Sequence, residues 1–404
     1  MAKGNAIIGQ SGGPTSVINA SLSGVIENAL KSENIDNVYG MRYGIEGFMA
    51  GDIIDLGAES KSSIKALKNT PSSALGSCRY KLKDEDIPQI IEIFAKYNIR
   101  FMFLIGGNDT MDTIHRIEAY AKSSGYEIIA VGIPKTVDND LFGTDHTPGF
   151  PSAARYMALS VMQAGILARD MKNVDQFVVY QCIGREAGWL VGASGAGKRK
   201  EFDAPHIMCF PERPFDKAKF LADVKRCYDQ YGFVSIVCGE GIAYADGTPV
   251  SDSDTKDRFN NVEFGAMGGT SAAMALHQMT ANEFGFRGEF QITESLPMCA
   301  ADRAASLDIE EAYICGRDAV QLAEKGVTGV MVTIERYGDV FNYHSKTSTA
   351  PLSEVAVSAK PMPDEFINPE GNFVTDAFFE YLTPLIGEMP KYAALNYKPV
   401  PLMA

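Results

Sequence analysis

The chain has 404 residues, of which 46% are hydrophobic and 22% charged, and it carries a formal net charge of −14. This length is sufficient for two or three domains, each with a core of its own. The acidic balance argues against nucleic acid as a partner, because a phosphate backbone requires a basic surface. Small anionic substrates remain compatible with it wherever a cleft gathers cations locally.

The cysteines and the first residues of the chain indicate a compartment. The seven cysteines are an odd number and form no Cys-x-x-Cys pair, which favours free thiols in a reducing environment over a disulfide framework. No apolar run reaches the roughly 18 residues that a membrane helix needs, and the first residues lack a signal-peptide pattern. We therefore expect a cytoplasmic protein without a membrane partner.

Short apolar runs alternate with helical patterns along most of the chain. In chain order, the sequence predicts strands at residues 6–8, 100–105, 127–133, 176–183, 206–210, 233–238 and 329–334. It predicts helices at residues 17–30, 86–97, 110–123, 152–168, 215–231, 267–282, 309–325 and 378–385, and a helix that begins within 186–193. Strands separated by helices of this length indicate βαβ units and a mostly parallel sheet, so the predicted fold class is α/β.

Two segments depart from this rhythm. Residues 245–261 are polar and rich in Asp and Ser, which predicts an exposed excursion. The tail from residue 345 onward is rich in proline, and we expect one last helix within it.

Three glycine loops directly follow predicted strands. They are Ser11-Gly12-Gly13, Gly106-Gly107 and Gly239-Glu240-Gly241. In open parallel sheets, ligands bind at the carboxyl ends of strands. Glycine there lets the backbone approach phosphate oxygens closely, and the next helix N-terminus favours negative charge. The three loops together therefore predict a phosphate-binding site.

The sharpest chemical feature is the heptad 134–140, Pro-Lys-Thr-Val-Asp-Asn-Asp. It follows the strand predicted after Gly106-Gly107, and it brings one cation, one hydroxyl and two carboxylates into six residues. Phosphoryl transfer to an alcohol needs these groups, because a carboxylate must accept the hydroxyl proton while cations neutralise the transferring group. The bland alternative is a turn rich in Asp and Asn without chemistry.

Residues 192–198 imitate a different phosphate loop. They match the first seven positions of a Walker A motif, but the eighth is Arg199, where Mg²⁺ binding requires Ser or Thr. The residues before them resemble a helix start and not the strand that a P-loop follows. We interpret this segment as a helix end and loop.

In combination, the motifs resemble the phosphofructokinase family, and more closely its pyrophosphate-dependent branch, from residue 5 to about residue 335. The segments that carry the resemblance are 9–14, 75–79, 106–110, 134–140, 144–150, 184–189, 204–212 and 239–241. The family transfers a phosphoryl group to the 1-hydroxyl of fructose 6-phosphate with Mg²⁺. The resemblance implies two doubly wound, mostly parallel-sheet domains that face each other across a cleft, with a C-terminal extension.

The resemblance also implies roles for individual residues. Asp138 is expected to be the general base, with Thr136 and Asp140 beside it at the sugar and the metal. The residues expected to bind substrate are Gly12, Arg79, Gly107, Gly184, Arg185 and Glu240. Among them, Glu240 corresponds to the carboxylate that holds sugar hydroxyls. Asn108 and Asp138 are the expected Mg²⁺ contacts.

Two residues bear on the phosphoryl donor. The ATP-dependent branch has glycine at the second position after the Gly pair and again after the proline of the heptad, whereas this chain has Asp109 and Lys135. The Asp109 side chain would repel a nucleotide phosphate, and Lys135 offers a point cation to a small leaving phosphate. Both differences favour pyrophosphate.

Two positions depart from the family pattern. Asn108 stands where the family has an aspartate that contacts Mg²⁺, so this site loses one charge but keeps a carbonyl oxygen. The family's Gln-Arg pair should fall near Leu296-Pro297-Met298, where this chain has no arginine. Arg287 or Arg303 are the candidates to replace it, and neither aligns with that position.

Several hypotheses remain open from the sequence. A Gly-Gly loop of this kind also occurs in NAD and lipid kinases, so an ATP-dependent sugar-phosphate kinase is one alternative to a pyrophosphate-dependent enzyme. A weakly catalytic regulatory subunit that binds sugar phosphate is another, motivated by Asn108 and the missing arginine. Acceptors such as sedoheptulose 7-phosphate also remain open.

The resemblance further implies domain limits and an assembly. A donor-binding domain would cover residues 1–140 with about 290–325, a sugar-phosphate-binding domain residues 141–289, and a C-terminal strand and extension residues 326–404. A neighbouring subunit completes the cleft in the family, which implies a homodimer or homotetramer.

Overall fold

The computed structural model describes residues 2–251, 269–393, 395 and 398–401. The strands are β1 Gly4–Gln10, β2 Ile35–Met41, β3 Ile53–Asp55, β4 Ile99–Gly106, β5 Ile129–Pro134, β6 Phe177–Cys182, β7 Ile207–Cys209, β8 Val234–Gly239, β9 Gly288–Ile292, β10 Val330–Asp339 and β11 Asn342–Pro351. The helices are α1 Ile18–Ala29, α2 Gly44–Met49, α3 Lys61–Ala66, α4 Ile87–Lys96, α5 Asn108–Ser123, α6 Phe150–Asp170, α7 Trp189–Ala193, α8 Lys217–Tyr231, α9 Ala272–Phe284, α10 Ser306–Glu324, α11 Leu352–Val355 and α12 Asp376–Ile386.

Seven strands form the first sheet, in the order β11-β10-β5-β4-β1-β2-β3. The five central strands are parallel, and the two edge strands, β3 and β11, pair antiparallel with their neighbours. Successive side chains of a strand point to opposite faces, and here both faces are covered. Ala6 and Ile8 pack in one core with α1 and α10, while Ile7 packs in the other with α4 and α5.

The second sheet has four parallel strands in the order β7-β8-β6-β9. The helices α8 and α9 pack on one face of it, and α6 and α7 pack on the other together with α12. The predicted α/β class with mostly parallel sheets is therefore confirmed. The C-terminal residues contribute to both sheets, because β10 and β11 extend the first while α12 packs against the second.

The comparison with the predicted elements shows where pattern reasoning fails. The predictions lack the strands β2, β3, β9 and β11, since these mix polar and apolar residues and are only partly buried. The helix placed within 186–193 begins only at Trp189. The helix placed at 267–282 begins at Ala272, where the Ser271 side chain accepts the Met274 N–H as an N-cap; residues 267 and 268 lie outside the described residues, as does most of the excursion predicted at 245–261.

Residues 192–198 have the structure that we expected. They complete α7 and continue into a single 3₁₀ turn, Ser194–Gly197, and no strand precedes α7 directly. The ammonium of Lys198 donates to the backbone carbonyls of Glu201, Asp203 and Pro205. This lysine therefore stabilises the loop that follows it, whereas the lysine of a P-loop binds a phosphate.

The seven cysteines, all of them among the described residues, are free thiols. Within the described part of the chain, none of the helices combines the length and apolarity that crossing a membrane requires.

Candidate active site

The carboxyl ends of three neighbouring strands, β1, β4 and β5, carry the glycine loops and the heptad. Gln10 pairs with Ile105 and Gly106 pairs with Pro134, so the three strands end next to one another at the same edge of the sheet. The chain order reverses between β1 and β4, since β2 lies on one side of β1 and β4 on the other. A crevice opens at such a reversal in an open parallel sheet, which makes this edge the expected ligand site.

Lys135 lies in the wall of this crevice and is only 5% exposed. Its Nζ donates to the Gly13 carbonyl at 2.6 Å, so the heptad is joined to the first glycine loop. Gly12 has φ +77, and a Cβ there would lie 3.3 Å from the Lys135 Nζ. Burial lowers the pKa of Lys135 to about 8, although the negative charges of Asp138 and Asp140 oppose that shift.

The two aspartates of the heptad have raised pKa values. Burial, with the negative charges of Asp140 and Glu240, raises the pKa of Asp138 to about 7. Burial also raises the pKa of Asp140, while a hydrogen bond from the Thr136 hydroxyl opposes the change. The same hydroxyl accepts the Asp138 N–H at 3.1 Å. A carboxylate with a pKa near neutrality can take up and release a proton, as a general base must.

The second sheet supplies residues from the ends of β6 and β8, which pair at Cys182 and Gly239. The Gly184 N–H donates to the Glu240 carboxylate at 3.2 Å. A Cβ on Gly184, whose φ is +116, would lie 3.6 Å from the Asp138 Oδ1. The residues predicted to bind the sugar therefore meet the residues predicted to perform the transfer, although the two sets come from different sheets.

The predicted arginines lie around this cluster and are exposed to solvent. The positive charge of Arg79 acts on both Lys135 and Glu240, and that of Arg185 acts on Asp138 and Glu240. Since charges interact over several ångströms, these couplings place both guanidinium groups near the crevice.

The loop after β4 contributes the remaining predicted residues. Gly107 precedes α5 as its N-cap, and no side chain among the described residues caps the first backbone N–H groups of this helix, which suits an anion there. Asp109 lies in the first turn of α5, where its side chain is exposed. It stands at the rim of the site and not within the buried cluster around Lys135.

The oxygens of the site suit Mg²⁺. The Oδ1 atom of Asn108 is buried and accepts no hydrogen bond from the described residues. A buried oxygen without a partner is costly unless a ligand uses it. The described residues contain no cluster of three His, Cys, Asp or Glu side chains that would hold a metal alone. This donor set fits Mg²⁺, which usually keeps one or two protein oxygens and takes its other ligands from phosphate and water.

The segment Leu296–Met298, near which the family's arginine should fall, reaches the same crevice. The Sδ of Met298 is 3.3 Å from where a Cβ on Gly13 would be. Arg287 is not a replacement for this arginine. It pairs with Asp175 at 2.9 Å, and both residues lie just before strands, so they are at the amino ends of β6 and β9, away from the site. Arg303 donates to the Ser160 hydroxyl at 2.7 Å and lies over the Tyr156 ring, so it is held on α6.

Sequence reasoning missed the contacts that the C-terminal extension makes to the heptad. Asn139 is fully buried, and its amide bonds the hydroxyl of Tyr381 on α12 at 2.9 Å. The backbone N–H of Lys360 donates to the Asp140 carbonyl at 2.7 Å. The only signal in the sequence was Asn139 itself, a residue type that tolerates the left-handed backbone found there, with φ +56.

Comparison with known proteins identifies the family. The phosphofructokinase profile matches residues 5–294. The pyrophosphate--fructose 6-phosphate 1-phosphotransferase of Halomonas elongata is 38% identical over 393 residues, which cover 96% of this chain and 92% of that protein. The crystal structure of the pyrophosphate-dependent phosphofructokinase from Nitrosospira multiformis has a TM-score of 0.87 and 38% identity, and the match covers 98% of this chain and 95% of that one.

A relative with a different name is also similar. The sulfofructose kinase of Alkalicoccus urumqiensis is 31% identical over 367 residues, which cover 89% of this chain and 91% of that protein. The profile match over more than half of the chain and the two relatives, both above 30% identity, show the family. This chain belongs to the phosphofructokinase family.

Proposed function

We propose that this chain transfers a phosphoryl group from pyrophosphate to the 1-hydroxyl of fructose 6-phosphate, reversibly, and forms fructose 1,6-bisphosphate and phosphate. The observation that carries the proposal is the buried Lys135 ammonium, which bonds the Gly13 carbonyl and faces the carboxylates of the heptad. Relatives that are named for this reaction, at 38% identity over nearly the whole chain, support it.

The residues divide the chemistry as follows. Asp138 takes the proton of the 1-hydroxyl while that oxygen attacks the nearer phosphorus of pyrophosphate. The bond from this phosphorus to the bridging oxygen breaks, and the leaving phosphate keeps the electron pair. Lys135 and Arg79 offset the negative charge of the transferring and leaving groups. Glu240 accepts hydrogen bonds from the sugar hydroxyls, and its own position is set by the Gly184 N–H.

We also propose Mg²⁺ as the cofactor. The Asn108 Oδ1 and the Asp138 carboxylate would hold it together with oxygens of pyrophosphate. When bound, it would supply further neutralisation of the phosphate charge. The side chains of Thr136, Asp140 and Asp109 would then position the groups that surround the pyrophosphate.

A panel of donors and acceptors with Mg²⁺ tests the function. We expect phosphate release or product formation with pyrophosphate and fructose 6-phosphate, and none with ATP. Turnover with ATP in the absence of turnover with pyrophosphate would replace the proposal by an ATP-dependent sugar-phosphate kinase. The panel should include sedoheptulose 7-phosphate and sulfofructose, because the family's arginine is missing near Leu296-Pro297-Met298 and one relative is named sulfofructose kinase.

The same assay on the purified single chain decides whether the chain is a regulatory subunit. That alternative expects no turnover for the chain alone and activity only after a partner subunit is added. We propose that the active form is a homodimer or homotetramer in the cytoplasm, and light scattering during chromatography measures its mass.

A further inference from the structure

We propose that the C-terminal extension positions the catalytic aspartates, through a clamp formed by Lys360 and Tyr381 around Asn139. This inference adds two positioning residues to the reaction proposed above and rests on that function only for its kinetic test. The clamp residues lie 221 and 242 positions after Asn139 in the chain.

Asn139 is the residue between the two aspartates of the heptad, and its backbone is left-handed, with φ +56. Such a conformation costs free energy for a residue other than glycine and persists where surrounding contacts maintain it. Here the Asn139 amide donates to the Tyr381 hydroxyl at 2.9 Å, and its Oδ1 accepts the Thr147 N–H at 3.1 Å. Both partners lie outside the heptad.

Lys360 holds the other side of the same turn. Its backbone N–H donates to the Asp140 carbonyl at 2.7 Å, and the residue before it, Ala359, forms a β-bridge with Leu141. Its ammonium donates to the carbonyls of Asp145 at 2.7 Å and Thr144 at 3.1 Å. The segment that follows the catalytic aspartates is therefore held at its backbone by the extension.

Tyr381 is itself rigidly placed. Its hydroxyl donates to the Asp145 carbonyl at 3.0 Å while it accepts from Asn139, so both hydrogen-bonding capacities are used. The guanidinium of Arg336 lies 4.4 Å from the ring centroid and donates to the Tyr381 carbonyl. The Trp189 ring packs against the Tyr381 ring at 5.4 Å. A side chain that is held by this many contacts can keep a neighbouring loop in position.

The consequence for the reaction is geometric. Asp138 and Asp140 flank Asn139, so a rotation of this residue displaces both carboxylates together. A displacement of about 1 Å at a reacting group can reduce the rate about a hundredfold. Neither clamp side chain needs to touch substrate for this effect, and we therefore expect it in kcat more than in KM.

The test uses Tyr381→Phe, Asn139→Gly and the double variant. Tyr381→Phe keeps the ring packing and removes the hydroxyl, whereas Asn139→Gly keeps a backbone that is compatible with φ +56 and removes the amide. We expect kcat to fall about 10- to 100-fold in each single variant, with KM values within about threefold of wild type. Because both changes remove the Asn139–Tyr381 bond, the loss of kcat in the double variant should be clearly smaller than the product of the two single losses.

Tyr392→Phe is the matched control. Its exposed hydroxyl accepts a hydrogen bond from Gln163 at 3.1 Å in the same C-terminal region, and no contact of Tyr392 reaches the heptad among the described residues. This variant should keep wild-type kinetics.

Hydrogen exchange gives a readout that does not depend on turnover. In Tyr381→Phe, peptides covering residues 136–142 should exchange faster than in wild type, while the melting temperature stays within a few degrees. If the wild type used neither proposed substrate, the proposed function would fail and the exchange comparison would still decide this inference. Exchange within twofold of wild type, or an additive double variant, would overturn it.

Discussion

The proposed donor side and the proposed acceptor side of the site are built differently. On the donor side, at the ends of β1, β4 and β5, a buried cation bonds directly to a neighbouring loop, with 2.6 Å between the Lys135 Nζ and the Gly13 carbonyl. On the acceptor side, at the ends of β6 and β8, the corresponding contact joins a carboxylate to a backbone N–H, Glu240 to Gly184. Between residues 288 and 302, on this side, the chain has no lysine or arginine.

This difference shows which substrate the chain itself specifies. A small, highly charged donor needs a fixed cation and suits a helix N-terminus without a side-chain cap, and the donor side has both. Recognition of a sugar phosphate needs a cation at the far end of the sugar, and the segment Leu296-Pro297-Met298, near which the family has one, carries none. We therefore expect donor choice to follow from this chain's own loops, and acceptor choice to depend on groups beyond them.

The largest expected effect is the loss of the proposed base, Asp138. Asp138→Asn removes the carboxylate that we propose as acceptor of the hydroxyl proton, and we expect kcat to fall about 10²- to 10⁴-fold. Phosphate release measures it, with the surface variant Asp36→Asn as control. A variant that retained a tenth of the wild-type kcat would assign the base to another residue.

The next effect tests the donor side alone. Replacing Asp109 and Lys135 together by glycine removes the fixed cation and frees space at the start of α5. We expect the rate with pyrophosphate to fall at least about a hundredfold, and we expect ATP to become a measurable donor. The KM for fructose 6-phosphate should change little, since the acceptor side is intact. Unchanged kinetics with pyrophosphate would contradict the donor assignment.

The pH dependence should combine both sides. Asp138 must be ionised to act as a base, so activity should fall about tenfold per pH unit below its pKa of about 7. Lys135 must be protonated, so activity should also fall above its pKa of about 8. In Lys135→Arg the remaining activity should lose the alkaline decline, because a guanidinium does not titrate there. If the pH profile of the variant had the same shape as that of wild type, deprotonation of Lys135 would not be the cause of the alkaline decline.

The smallest expected effect tests whether a cation on the acceptor side would strengthen sugar-phosphate binding. Met298→Arg introduces a cation in the segment near which the family pattern has one, and we expect the KM for fructose 6-phosphate to fall about five- to tenfold. The neutral variant Met298→Gln controls for shape. If both variants behaved alike, the charge at this position would not contribute to sugar-phosphate binding.

Much of the fold was accessible from the sequence. The central strands β1, β4, β5, β6 and β8 are buried on both faces and appear as continuous apolar runs. The polar strand β11 gave no such pattern, because its place in the sheet depends on pairing with β10 and not on its own composition. The short strand β9 was not predicted either, because its place in the sheet depends on pairing with β6.

The candidate site divides in the same way. The sequence alone predicted which loops would bear the chemistry, since glycines, a lysine and aspartates follow buried strands there, and the structure brings these loops together. Only the tertiary structure decided that burial would bring the pKa values of Asp138 and Lys135 near neutrality, and that Arg287 would lie at the wrong edge. It also decided that Tyr381 would hold Asn139, because contacts between residues 242 positions apart depend on how helices and sheets pack and leave no local pattern in the chain.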